Sequence, residues 1–328
     1  MISILIGTIA CSLLGLMAQW MAFLIVFLIA KVGFSASLIF YDSMLSDITD
    51  EERMDYVSSQ GYAWGYIGSC VPFVLCLVIV LGSDTLGIHM ETAMGIAFVL
   101  VAVWWLLMSL PLLKNYEQKY YVEKKPHAIA QSFKRLGETF KNMKEEKQVF
   151  MFLLAFFFYI DGVYTIIDMA TAYGSALGLD STGLLLALLV TQIVAFPCAI
   201  IFGNLSYRIR TEKLIIVCIF AYLGIAIFAV FLKTQLQFWI LAILVGMFQG
   251  GIQALSRSYF TKIIPEEHSG EYFGLMDICG KGASFVGTTI VSIVSQLTGN
   301  ISMGVGMIAI LFCIGIVIFL KAVSMSRN

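Results

Sequence analysis

Along most of this chain, apolar residues run on in long stretches and do not alternate with polar ones at a surface-helix or strand period. A membrane helix needs about 20 mostly apolar residues. By that measure the pattern predicts about ten helices, over 1–17, 20–44, 60–82, 91–113, 148–174, 181–203, 214–232, 237–262, 271–297 and 302–322. No charged region precedes the short first run, so a cleaved signal peptide is a poor reading of it. The one long polar stretch is 114–147. Within it Ile129, Phe133, Leu136 and Phe140 recur at helical spacing among lysines, the pattern of an amphipathic helix on a membrane surface. It reads as a linker, with a regulatory or partner-binding helix as the sharper alternative. The expected organisation is an incomplete N-terminal half of four helices (1–113), this linker (114–147) and a six-helix half (148–328).

Composition narrows the class. Of 328 residues, 60% are hydrophobic and 12% charged, against about 45–50% and 25% in soluble domains. A single core cannot hide that excess. An all-α polytopic membrane protein remains, with the lipid bilayer as its first partner; soluble enzymes, nucleic-acid binders and secreted disulfide scaffolds are excluded. A net charge of −1 selects no polyanionic partner. The seven cysteines lie in apolar runs without a C-x-x-C pair, and the three histidines are far apart. Neither a disulfide framework, a metal site nor a cofactor is indicated.

The basic residues set an orientation. Most of the 20 lysines and arginines fall in 114–147 or in alternate loops on its side, at Arg53, at Arg208, Arg210 and Lys213, at Arg257 and Lys262, and at Lys321 and Arg327. The opposite loops hold only Lys233. The positive-inside rule then puts the linker and both termini in the cytoplasm.

The chain also repeats itself. Gly33 and Tyr41 in the second run stand eight apart, like Gly251 and Tyr259 in the eighth, and each pair leads through an acidic turn into a glycine-rich helix. The first four helices thus match the last four. Helices 148–174 and 181–203 have no partners in the first half, so the chain reads as a 4 + 6 version of a 6 + 6 design, lacking its first two helices. That is the plan of the major facilitator superfamily, whose halves are parallel repeats.

FYDSMLSDI (40–48), RMDYVSSQGYAWGYIGS (53–69), FQGGIQALSRSYFTKIIP (248–265) and EYFGLMDICGKGASFVG (271–287) resemble the vacuole-effluxer-like family of that superfamily. The resemblance implies a major-facilitator-type helical bundle in a bacterial plasma membrane. It also implies a secondary-active transporter that moves a small solute, amino-acid efflux included, by alternating access. The turn GNLSYRIRTEK (203–213) resembles the superfamily's G-x-L-x-D-R-x-G-R-K signature at Gly203, Leu205, Arg208 and Lys213, which implies a cytoplasmic gate turn. Tyr207 stands at its acidic position and Arg210 at its second glycine.

A charge at mid-bilayer costs at least about 2.5 kcal/mol, so each one needs a partner, a cavity or a function. Asp161 and Asp168 share a helix seven residues apart, Asp277 and Lys281 are four apart on another, and Lys31 lies deep in the second. In the functional reading Asp161 binds a substrate amine or shuttles a coupling proton, with Lys281 as its counter-charge or as the holder of a substrate carboxylate. In the plainer one Asp277 and Lys281 neutralise each other and Asp168 lies at the interface. Tyr62, Trp64 and Tyr66, among Gly61, Gly65 and Ser69, either line a substrate path or follow from close helix packing. Gln192, Gln249, Gln253 and Gln296 bond between helices or line a cavity.

GLMDICGKG (274–282) is not a phosphate-binding loop, because its glycines are one residue too far apart and Gly282 follows its lysine. Without a G-K-[ST] loop, an ATPase on this chain is excluded. The pair Asp161 and Asp168, on one helix, cannot form an aspartyl-protease dyad. The expectation is a non-enzymatic transporter; the alternative is a non-transporting remnant that acts as a membrane binding or assembly partner.

Overall fold

The computed structural model describes residues 1–120, 137 and 146–325. Ten main helices follow the apolar runs: α1 (Ile2–Leu13), α2 (Trp20–Ser43), α3 (Met54–Leu81), α4 (Met90–Asn115), α5 (Lys147–Ala176), α6 (Ser181–Leu205), α7 (Thr211–Val230), α8 (Gln235–Ile263), α9 (Ser269–Thr298) and α10 (Ile308–Met325). In hydrocarbon no water satisfies backbone N–H and C=O groups, so each apolar run closes its own hydrogen bonds as a helix. Among the described residues nine helices are long and apolar enough to cross a membrane. The first run is shorter than expected, with α1 followed by a single 3-10 turn at Leu14–Leu16. The amphipathic stretch with Ile129, Phe133, Leu136 and Phe140 lies outside the described residues.

Polar side chains cap the starts of α6 and α8. Asp180 accepts the Gly183 N–H at 2.6 Å before α6, and Thr234 forms a reciprocal capping box with Gln237 before α8. Pro72, Pro111 and Pro197 sit inside α3, α4 and α6, as membrane helices tolerate. The third helix begins several residues before the expected 60. Polar Asp55, Ser58 and Ser59 read as loop along the chain, yet all three are buried, and Asp55 and Ser58 have tertiary partners.

The chain divides into two compact units. The first comprises Met1–Asp47 and Ile67–Lys119. In it α1 packs on α2 and α4, and the buried Asp47 accepts from the Tyr116 hydroxyl and from the Lys119 N–H at 3.1 Å. Burial, and the Asp47 carboxylate beside it, raise the Tyr116 phenol above its ordinary pKa. The second comprises Ile48–Tyr66 and Tyr120–Asn328. There α5 lies against α9 and α10, and α8 against α6 and α7. Phe152, Tyr159, Phe260, Phe312 and Phe319 fill its core, each fully buried.

Candidate functional site

Within the second unit, α5 carries Asp161 with 0% exposure. Its Oδ1 accepts from the Thr165 hydroxyl at 3.1 Å and from the Gly287 N–H of α9 at 3.0 Å. Its Oδ2 is buried with no hydrogen-bond partner. No cation pairs with it among the described residues. The approach of α9 depends on glycine, since a Cβ at 287 would stand 2.1 Å from Asp161 Oδ1 and 2.2 Å from Thr165 Oγ1. On the other side Gly162 leaves room for the Phe312 ring of α10. The carboxyl is therefore enclosed by three helices.

The remaining charges form a separate, more open stripe. Asp168 is exposed and accepts from the Ser284 hydroxyl at 2.9 Å. Asp277 and Lys281 bond each other along α9, and the lysine side chain is 43% exposed. Asp277, Lys281 and Ser284 share one face of α9 by their four- and three-residue spacing. Lys281 thus pairs with Asp277 and not with Asp161. In the first unit Lys31 is exposed on α2, with its ammonium 5.9 Å from the centre of the Phe34 ring.

The first turns of α3 form a second cluster with α6, α7 and α8, inside the second unit. Asp55 collects three side-chain donors: Ser258 at 2.5 Å, Thr211 at 2.6 Å and Lys262 at 2.8 Å. Arg257, only 4% exposed, donates to the Ser58 hydroxyl at 2.9 Å and lies 5.0 Å from the centre of the Tyr62 ring. The Tyr66 hydroxyl donates to Gln253 at 2.7 Å. Gly203, in the signature-like turn, lets α6 approach Ser59, and Tyr207 packs on Tyr56 with ring centres 5.8 Å apart. Arg208 and Lys213 of that turn are exposed, and among the described residues neither makes an ion pair. Gly65 has nothing within 4 Å of where a Cβ would stand, so it serves no close helix approach.

Two of these groups escape a reading of the chain alone. Arg257 falls in the last turns of an apolar run, where a basic residue counts toward the loop. Asp55 is one acidic residue of a polar turn. The available signal was that Arg257 lies inside the run 237–262, several residues before its end.

Comparison with known proteins gives a consistent picture. Residues 46–328 match the family described as Vacuole effluxer Atg22 like. A Bacillus subtilis protein described as the uncharacterized MFS-type transporter YxiO is 46% identical over 302 residues, which cover 92% of this chain and 71% of that protein. Autophagy-related protein 22 of Botryotinia fuckeliana is 25% identical over 83% of this chain, which spans 50% of that relative's length. Among solved structures, the E. coli fucose:proton symporter FucP superposes with a TM-score of 0.70 at 15% identity, over 98% of this chain and 83% of its own. The human organic anion transporter MFSD10 does so with a TM-score of 0.69 at 12% identity, over 97% and 75%. At such identities the likeness concerns the fold alone: an all-α, polytopic, major-facilitator-type architecture.

Proposed function

Because the chain belongs to the vacuole effluxer Atg22-like family, a family of integral membrane transporters, we propose that it moves a small zwitterionic solute across the bacterial plasma membrane by alternating access, coupled to a proton carried by Asp161. The observation that carries this reading is the enclosed carboxyl, with one oxygen bonded twice and the other left without a partner. An ionised carboxylate buried without a cation costs several kcal/mol. A proton on Oδ2 removes the charge, and releasing it requires the α5–α9 contact to open to water. The enclosure favours a proton over a substrate amine, since Oδ2 is sealed from solvent.

The solute belongs on the open stripe. Exposed charges inside a spanning helix are tolerated where they line a water-filled cavity. Asp168, Asp277 and Lys281 together offer both signs to the ammonium and carboxylate of an amino acid, and the family's name supports efflux as the direction. The Asp55 cluster, with Gly203 and Tyr207, supplies an inner gate, while exposed Arg208 and Lys213 contribute positive charge to the cytoplasmic face. The distribution of basic residues supports cytoplasmic termini.

The test is transport by vesicles containing the purified full chain, with labelled amino acids, with and without a pH gradient. Asp161→Asn is expected to reduce gradient-driven flux to the level of protein-free vesicles while membrane insertion is retained. Unchanged flux in this variant would remove Asp161 from the mechanism.

One observation favours a second reading. In the most apolar stretch of Gln235–Ile263 61% of the residues are buried, against 6% in that of Trp20–Ile48, the helix it would match in the expected repeat. A chain whose first-unit helices await cover by another polypeptide would act as an assembly partner and show no flux in the same vesicles.

A further inference from the structure

Two hydrogen bonds tie one turn of α9 to the two carboxylates of α5. Ser284 donates its hydroxyl to Asp168 at 2.9 Å, and Gly287 donates its backbone N–H to Asp161 at 3.0 Å. The second bond is unusual for a helix interior. Gly287 lies well inside the continuous helix Ser269–Thr298, where its N–H belongs to the carbonyl of Ala283, four residues back. Asp161 Oδ1 and that carbonyl therefore compete for one donor. Ala283 is 0% exposed, so no water replaces the N–H when the carboxylate draws it away.

The same stretch of α9 is built to bend. A polar group that enters the backbone ladder of a helix kinks it, and Asp161 does so at Gly287, where a Cβ would stand 2.1 Å from Oδ1. Just beyond, three hydroxyls bond back to carbonyls of their own helix: Thr288 to Ser284 at 2.8 Å, Thr289 to Phe285 at 2.6 Å and Ser292 to Thr288 at 2.8 Å. Such back-bonding weakens and bends the helix that carries it. On the near side Gly282 has nothing within 4 Å of where a Cβ would stand, which leaves the backbone room to move.

We propose that α9 carries a hinge at 282–292 and that the charge on Asp161 sets its bend through the Gly287 amide. An ionised carboxylate accepts a charge-assisted bond, roughly twice as strong as a neutral one, so it draws the N–H out of the ladder. A protonated carboxyl returns it to Ala283, and α9 straightens. The hinge's part in transport rests on the reading of Asp161 as the proton carrier. It links that proton to the solute stripe, because Asp277 and Lys281 lie on the N-terminal side of the bend and move with it.

The test is hydrogen–deuterium exchange of the full chain in lipid nanodiscs, read by mass spectrometry, for the wild type and Asp161→Asn in the same alkaline buffer. Substitution at fixed pH leaves the other titratable groups of this contact as they are, Tyr164 and Asp168 on α5 and Asp277 and Lys281 on α9; α10 presents the Phe312 ring. The asparagine oxygen is neutral. Exchange in peptides spanning 283–292 is therefore expected to slow about tenfold, the equivalent of one hydrogen bond restored to the helix, while peptides of α6, α7 and α8 keep their rates. Asp168→Asn should leave 283–292 unchanged. Unaltered or faster exchange there in Asp161→Asn would overturn the hinge. So would slowing spread over all helices, the mark of a buried charge removed from the fold as a whole. Flux is read separately: local slowing in a chain without proton-driven flux keeps the hinge and removes the proton carrier, whereas lost flux in Asp161→Asn without local slowing keeps the carrier and overturns the hinge.

Discussion

Any side chain at position 287 displaces the Asp161 carboxyl, because its first carbon would overlap both Asp161 Oδ1 and Thr165 Oγ1. Gly287→Ala is therefore expected to lower stability by about 1–3 kcal/mol, the range for overpacking a filled site. Gly282→Ala, on the same helix with nothing within 4 Å, should change it by less than about 0.5 kcal/mol. Thermal unfolding of both variants in detergent checks the pair. Asp161 itself was legible in the sequence, since a carboxylate in the middle of an apolar run stands out by cost alone. Its partners were not. Gly287 looks like any other glycine of a glycine-rich helix, and only the approach of α9 to α5 gives that position its meaning. Arg257 was hidden for the opposite reason, a basic residue close enough to a helix end to pass for part of a loop.

At the level of elements, the spans were readable because hydrophobicity over about 20 residues is a one-dimensional property. The start of α3 was not, because the polar Asp55 and Ser58 find their hydrogen-bond partners in Ser258, Thr211, Lys262, Ala254 and Arg257, far along the chain. This gives the inner-gate proposal a direct check. Asp55→Ala removes the acceptor that gathers α7 and α8 onto α3, and breaking such a partly buried ion pair costs about 3 kcal/mol. A cysteine placed by Ser59→Cys, at a position with 0% exposure, should then react at least about tenfold faster with a maleimide in inside-out vesicles. An unaltered rate would show that Asp55 does not hold these helices together.

For the whole molecule, the testable quantity is its sidedness. In the proposed orientation Lys213 lies inside and Lys233 outside. A membrane-impermeant maleimide applied to intact cells should label Lys233→Cys and spare Lys213→Cys, and the reverse labelling would invert the proposed direction of the gate. The unequal burial of Trp20–Ile48 and Gln235–Ile263 was not legible in the glycine and tyrosine spacing that suggests a repeat, because burial depends on which helices lie alongside.

The way α3 is shared between the compact units has a further consequence, for dissection. Met54–Tyr66 is grouped with α5–α10, and Ile67–Leu81 with α1, α2 and α4. A fragment ending at residue 119 would strand the polar first turns of α3 without acceptors or donors. A fragment starting at 120 would take the Ser58 hydroxyl and carbonyl from the Arg257 guanidinium, and the Asp55 carboxylate from Thr211, Ser258 and Lys262. Cutting the chain at its long polar segment should therefore yield two pieces that accumulate only when they are expressed together.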